Sequence, residues 1–165
     1  YILNTLTHLS QQNFPANQFQ IVVVDDGSTD STSERVLEFA QNHSLDITYL
    51  YFPRMKPRKM GDSQFRAGLA RNLGVKWARG ELLSFLDSDI LVPQHFLERT
   101  LSLHQKWDIV QWRREYLHKK VDSSRAHYEE LTSKDTFIPE GGYWHRFYED
   151  AQKKGWGNIP QHWKY

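Results

Sequence analysis

Ile21-Val22-Val23-Val24-Asp25-Asp26-Gly27-Ser28-Thr29-Asp30 is the stretch that decides the fold. Four β-branched residues in a row read as a fully buried strand, and such strands belong to parallel sheets whose two faces are both covered. Polarity then changes abruptly. Open α/β sheets bind ligands at the carboxyl ends of their strands, which is where Asp25 and Asp26 stand. Gly27 permits a tight turn with a positive backbone dihedral. Ser28, Thr29 and Asp30 can cap the following helix, and Ser31 with Glu34 has capping-box spacing. Turn and cap chemistry accounts for those residues but not for two consecutive acids, since adjacent carboxylates repel. A ribose or a base needs hydrogen-bond acceptors at such a place, so Asp25 and Asp26 are read as ligand groups.

Downstream, Ser84-Phe85-Leu86-Asp87-Ser88-Asp89-Ile90-Leu91-Val92 has the same form. Leu82, Leu83, Phe85 and Leu86 read as a second buried strand. Alternation along an extended chain points Asp87 and Asp89 to one side, with Ser88 opposite. Two carboxylates there suit Mg²⁺ or Mn²⁺, which keeps open positions for phosphate oxygens.

Between the two lies Phe65-Arg66-Ala67-Gly68-Leu69-Ala70-Arg71-Asn72-Leu73-Gly74-Val75. Phe65, Leu69, Leu73 and Trp77 recur every four positions and predict a helix with one buried stripe. Arg71 projects away from that stripe. Its helix leads into the run that carries Asp87, so Arg71 is placed near the same rim, where it can pair with a phosphate or a base.

The wider pattern alternates strand and helix. Helices are expected near 1–12, 31–42, 64–79 and 94–106, with strands near 20–25, 46–51, 81–87 and 108–112. This is an α/β chain with a mostly parallel sheet and flanking helices. Pro93 suits a helix start and Gly80 a helix end.

Taken together, Val-Val-Asp-Asp-Gly-Ser-Thr-Asp, Ala-Arg-Asn-Leu-Gly and Phe-Leu-Asp-Ser-Asp, in this order and spacing, resemble the family 2 glycosyltransferases of the GT-A fold. The resemblance covers roughly residues 1–112, the nucleotide-sugar-binding core. Residues 113–165 would open the acceptor side and read as mostly irregular. What the resemblance implies is a nucleotide-sugar donor, usually a UDP-sugar, and a divalent metal, Mn²⁺ or Mg²⁺. Carried over residue by residue, Asp25 and Asp26 would contact uracil and ribose, and Arg71 the base or diphosphate. Asp87 would contact the ribose and stand beside the metal, with Asp89 as its ligand. The implied chemistry is inverting transfer to an acceptor hydroxyl.

The chain departs from the family pattern at both ends. Ile2, Leu3, Leu6 and Leu9 already have helical spacing, so the strand that usually precedes this helix, central by family analogy, is missing. The acidic pair expected near the general base does not follow Trp163. Glu149 and Asp150 resemble that pair but precede Trp163 and come too soon after Asp89; the base is left unassigned, with these two as candidates. The stretch reads as part of a longer enzyme and is not expected to transfer sugar by itself. Alternative readings are a nucleotidyltransferase-like enzyme and a catalytically inactive nucleotide-binding domain.

Composition sets further bounds. The 165 residues can bury one core. With 21 basic and 20 acidic residues the formal charge is +1, which gives no basis for nucleic-acid binding. Cysteine is absent, which excludes disulfides and thiolate metal sites. The expected location is the cytoplasm, with contact to the inner face of a membrane only through parts outside this stretch. Arg54, Lys56, Arg58 and Lys59, among two prolines, form either a solvated loop or a flap over the diphosphate. The aromatic residues Tyr143, Trp144, Phe147, Tyr148, Trp156 and Trp163 suit sugar stacking or packing equally.

Overall fold

The computed structural model describes residues 1–54, 66–112, 114, 116–117 and 136–137. The chain divides into two compact units, Tyr1–Asp108 and Ile109–Tyr165.

The first unit is built on a parallel pair. Strand β1 (Gln20–Asp25) runs beside β2 (Asp46–Tyr51) in a register that matches Gln20 with Asp46 and Asp25 with Tyr51. Between them in sequence lies α2 (Thr32–Asn42), the crossover that parallel strands require. Period-two alternation sorts the helices onto the two faces. Even-numbered strand residues meet α3 (Ala67–Trp77): a Cβ on Gly74 would lie 3.4 Å from Val24 Cγ2. Gln20 Nε2 donates to Thr48 Oγ1 at 3.0 Å on the same face. Odd-numbered residues carry Tyr49, which lies within reach of Ser33 on α2.

Helix α1 (Ile2–Ser10) packs against α2, and its buried Leu6 and Leu9 join Val36, Val92 and Phe96 in a small core. Polar residues on α1 fasten a distant segment. Thr5 Oγ1 donates to the Ser88 carbonyl (3.0 Å), and His8 Nδ1 lies 3.0 Å from the Val92 carbonyl. Gln12, one turn further on, donates from Nε2 to the Pro93 carbonyl at 2.8 Å and accepts from Leu97 N–H at 3.0 Å. Thr5, His8 and Gln12 share one side of the helical path because they are spaced three and four apart. This row lays residues 88–97 along α1 and leads into α4 (Phe96–His104).

Several expectations are corrected. Residues 81–87 form no strand; Leu82, Leu83 and Phe85 are exposed, Phe85 to 57%. Their apolar character makes burial favourable, but a strand also needs a neighbouring backbone for its hydrogen bonds, and no described strand supplies one. Residues 108–112 likewise form no strand. Residues 21–24 are a strand as expected, yet only partly buried. The expected stripe on α3 holds only in part: Leu69 and Trp77 are exposed, Leu73 is half-buried together with the small residues Ala70 and Gly74, and Phe65 lies outside the described residues. Gly74 allows close approach to Val24, which a bulkier stripe would prevent. The capping box at Ser31 does not form; Asp30 Oδ1 instead accepts from Thr32 N–H (3.1 Å) and Thr32 Oγ1 (2.6 Å). The helix before Gly80 ends two residues earlier, at Ala78, whose N–H bonds the Gly74 and Val75 carbonyls.

The second unit contains an antiparallel pair, β3 (Tyr116–Leu117) and β4 (Thr136–Phe137), with Tyr116 opposite Phe137. Among the described residues, no helix is long and apolar enough to cross a membrane.

Candidate functional site

The turn after β1 is the more enclosed of the two acidic turns. The Asp25 carbonyl accepts from Phe52 N–H at 2.8 Å, extending the ladder one residue past β2. Its carboxyl is buried, with 6% of the residue exposed. Oδ1 accepts from Ser28 N–H (2.7 Å) and Oδ2 from the Tyr49 hydroxyl (2.5 Å). Burial of the phenol, and then this hydrogen bond, push the Tyr49 pKa well above the usual tyrosine value.

Asp26 is met by two arginines. Arg54 Nη2 reaches Oδ2 at 2.5 Å, and Arg54 Nε donates to the Asp26 carbonyl at 2.8 Å. Arg66 donates to Oδ1 through both Nε (2.8 Å) and Nη2. The Arg66 guanidinium lies over the Phe52 ring, 4.3 Å from its centre. Gly27 has φ +80°, and a Cβ there would come within 2.7 Å of Arg54 Cγ, so this glycine lets both the turn and the arginine pass. The mutual repulsion of consecutive carboxylates is therefore offset inside the protein, by hydrogen-bond donors at Asp25 and cations at Asp26.

The Asp87–Asp89 turn is more open. Ile90 N–H donates to the Asp87 carbonyl at 3.2 Å, and α1 holds the Ser88 carbonyl. Asp87 Oδ1 accepts from Arg71 Nη2 at 2.9 Å, with 45% of the arginine and 36% of the aspartate side chain exposed. Asp89 is exposed, and its carboxylate has no hydrogen-bond or ion-pair partner among the described residues.

Helix α3 connects the two turns. Arg66, at its N-cap, engages Asp26, while Arg71 engages Asp87. Five residues of helix separate them by about 7.5 Å of rise and about 140° of rotation. Asp26 thus meets the start of this helix through Arg66 and Asp87 meets its middle through Arg71, with Asp25 adjoining the one and Asp89 following the other within its turn. Glu149, Asp150, Lys56, Arg58, Lys59 and the aromatic residues from Tyr143 onward lie outside the described residues.

Sequence reasoning passed over Arg66 and Tyr49 as site residues. Strand register carries a signal for Arg54: Asp25 opposite Tyr51 places Asp26 near Phe52, two residues before that arginine. Arg66 has no comparable signal, because its reach to Asp26 depends on where α3 docks.

The donor set fits a magnesium or manganese ion only in part. No group of three or more histidine or acidic side chains gathers among the described residues. Such ions are commonly held by one or two carboxylates plus substrate phosphates, which Asp89 and Asp87 can provide. Asp87 would share its carboxylate with Arg71. A pocket of about 220 Å³ opens between the starts of α1 and α2, lined by Tyr1, Asn4, Asp30 and Arg35 among others. None of the five acidic-turn and Arg71 residues lines it, so it is not identified with this site.

The chain is 34% identical over 98 residues to poly(ribitol-phosphate) beta-N-acetylglucosaminyltransferase TarS of Staphylococcus aureus, covering 59% of this chain and 15% of TarS. It is 33% identical over 100 residues to validoxylamine A glucosyltransferase of Streptomyces hygroscopicus, covering 61% of this chain and 21% of that protein. The crystal structure of Staphylococcus aureus TarS 1–349 superposes with a TM-score of 0.52 at 25% identity, over 76% of this chain and 39% of that one. The chain therefore spans well under half the length of the relatives it matches, and it shares the α/β GT-A fold of TarS. The family described as glycosyl transferase family 2 matches residues 1–160. An acidic turn after a parallel strand, an arginine-bearing helix and a second acidic turn thus converge with that match: this chain belongs to glycosyl transferase family 2.

Proposed function

We propose that this chain binds a nucleotide-sugar donor of the UDP-sugar type and supplies the donor half of a glycosyltransferase. The sugar passes to an acceptor hydroxyl with inversion, assisted by a divalent cation. The observation that carries this reading is the bridge made by α3, which brings arginines to both acidic turns while Asp89 keeps an exposed carboxylate without a partner among the described residues. The names of the relatives, an N-acetylglucosaminyltransferase and a glucosyltransferase, favour sugar transfer as the reaction class.

In this reading the Asp25–Asp26 turn faces the nucleoside. Asp25 is the more buried acid, already engaged through both oxygens, and it shapes the turn; Asp26 is the one a ligand can reach. Arg71 lies exposed beside Asp87 and can turn part of its five-donor guanidinium toward a diphosphate. Asp89, with Asp87, offers oxygen ligands to Mn²⁺ or Mg²⁺. A cation held there would supply Lewis-acid stabilisation of charge on the departing diphosphate. Removal of the acceptor's proton falls to a carboxylate, for which Glu149 and Asp150 are the candidates.

The reading is tested by titrating UDP into the full-length protein and its Asp89→Ala variant, with and without Mn²⁺. The expected result is metal-enhanced binding in the wild type that Asp89→Ala abolishes. Equal affinity in all four titrations would sink the assignment.

A further inference from the structure

We infer that Arg66 is a positioning residue for nucleoside recognition, acting through Asp26; this rests on the reading of Asp26 as the nucleoside-facing acid. Only 9% of the Arg66 side chain is exposed, and its guanidinium is held from several sides. Phe52 lies under it, Nε and Nη2 both point at Asp26 Oδ1, and Nη2 also reaches the Phe52 carbonyl at 3.3 Å. A planar guanidinium locked in this way fixes the direction of its partner as well as the distance.

Counting acceptor positions shows what that does. A carboxylate offers about four lone-pair positions. Arg66 takes up both on Oδ1, and Arg54 takes one on Oδ2. Among the described residues one position remains, on Oδ2, and the Asp26 side chain is 23% exposed. The two arginines therefore leave a single acceptor facing outward, suited to one N–H or O–H donor: the ring imide of a pyrimidine or a ribose hydroxyl.

Stability alone is a poor reason to keep such a pair. A desolvated arginine–carboxylate contact often contributes no more to folding than an apolar replacement of similar volume, so its value is sought in orientation. Arg54 and Arg66 also stand on separate segments, one after β2 and one at the start of α3, yet converge on one carboxylate. The acceptor geometry at Asp26 is thus set by tertiary docking.

The test is calorimetric titration of uridine, UMP and UDP into the full-length wild type, Arg66→Ala, Arg66→Lys, Asp26→Asn and the Arg66→Ala/Asp26→Asn double variant. Arg66→Ala should weaken all three ligands by the same factor, about tenfold, as expected for coupling between contacting residues. Arg66→Lys should recover part of the loss, and Arg66→Ala should cost nothing further once Asp26 is Asn. N3-methyluridine and 2′-deoxyuridine distinguish the ring imide from the ribose: the analogue that lacks the donor should be insensitive to Arg66→Ala. A loss that grows from uridine to UDP would make Arg66 a phosphate contact, and unchanged affinity or additive losses would overturn the positioning role. Should Arg66→Ala not fold, the Lys variant carries the same comparison. A wild type that binds no uridine ligand would overturn the proposed function and this inference together, whereas a wild type that binds UDP but ignores Arg66 would overturn this inference alone.

Discussion

At the end of β1 the protein spends its own hydrogen bonds on its acids: two donors reach the Asp25 carboxyl and three reach that of Asp26. At the Asp87–Asp89 turn, Arg71 meets Asp87 across an exposed contact, and Asp89 has no described partner. The two turns look alike in sequence, a hydrophobic run ending in paired acids, yet the first engages most of its carboxylate acceptors internally, while in the second Asp89 has no partner among the described residues. In the proposed function the difference matches two kinds of work. Orientation requires side chains locked by neighbours, whereas a cation needs oxygen acceptors that are still available and a diphosphate needs cationic donors such as Arg71.

The largest expected effect tests the enclosed turn. Asp25→Ala leaves the Ser28 N–H and the Tyr49 hydroxyl without their acceptor, so unfolding by urea should show a loss of about 2–4 kcal/mol. Free Mn²⁺ affinity should hardly change while UDP binding weakens. A loss under about 0.5 kcal/mol, the range of ordinary surface substitutions, would break the contrast between the turns.

Next in size is Tyr49→Phe, expected to cost about 1 kcal/mol, the usual net value of one hydrogen bond. Its pH dependence sharpens the point. The folded-state pKa of Tyr49 is raised, first by burial and then by the bond to Asp25, so the protonated phenol's contribution is intact below the unfolded value of about 10. It declines as pH rises above that. The stability gap between wild type and Tyr49→Phe should stay constant from neutral pH to about 9 and narrow beyond about 10; a gap that widened with alkali would contradict this assignment.

The smallest effect belongs to the open turn. Arg71→Ala and Asp87→Ala should each change stability by less than about 1 kcal/mol, and their coupling should vanish in about 1 M salt. A double-mutant cycle at low and high salt measures this. Coupling as strong and salt-insensitive as that of a buried pair would mean that the two turns are not different after all.

Much of the local structure around the candidate site was legible in the sequence, for identifiable reasons. The strand at 20–25, the turn at Gly27 and the helix around Arg71 follow from local rules: β-branched residues favour extended backbone, and the turn at Gly27 adopts the φ that glycine tolerates best. Arg71 does stand beside Asp87, although the expected strand that would place it there does not form. The misjudged parts share one cause. Leu82, Leu83 and Phe85 are apolar enough for a buried strand and remain exposed, while Leu69 and Trp77 have helical spacing and still face outward.

What the sequence by itself determined is therefore the four helices, the strands at 20–25 and 46–51, the two acidic turns and the family, because these rest on backbone preference and on residue types at short range. What only the tertiary structure decided is which acids the protein satisfies for itself. Asp26 meets Arg54 and Arg66 across 28 and 40 positions of chain, and Thr5 meets the Ser88 carbonyl across 83. Periodicity reports which side of an element is apolar, but a partner at that range exists only once two elements have docked, and docking depends on size, register and hydrogen bonding that no local window contains.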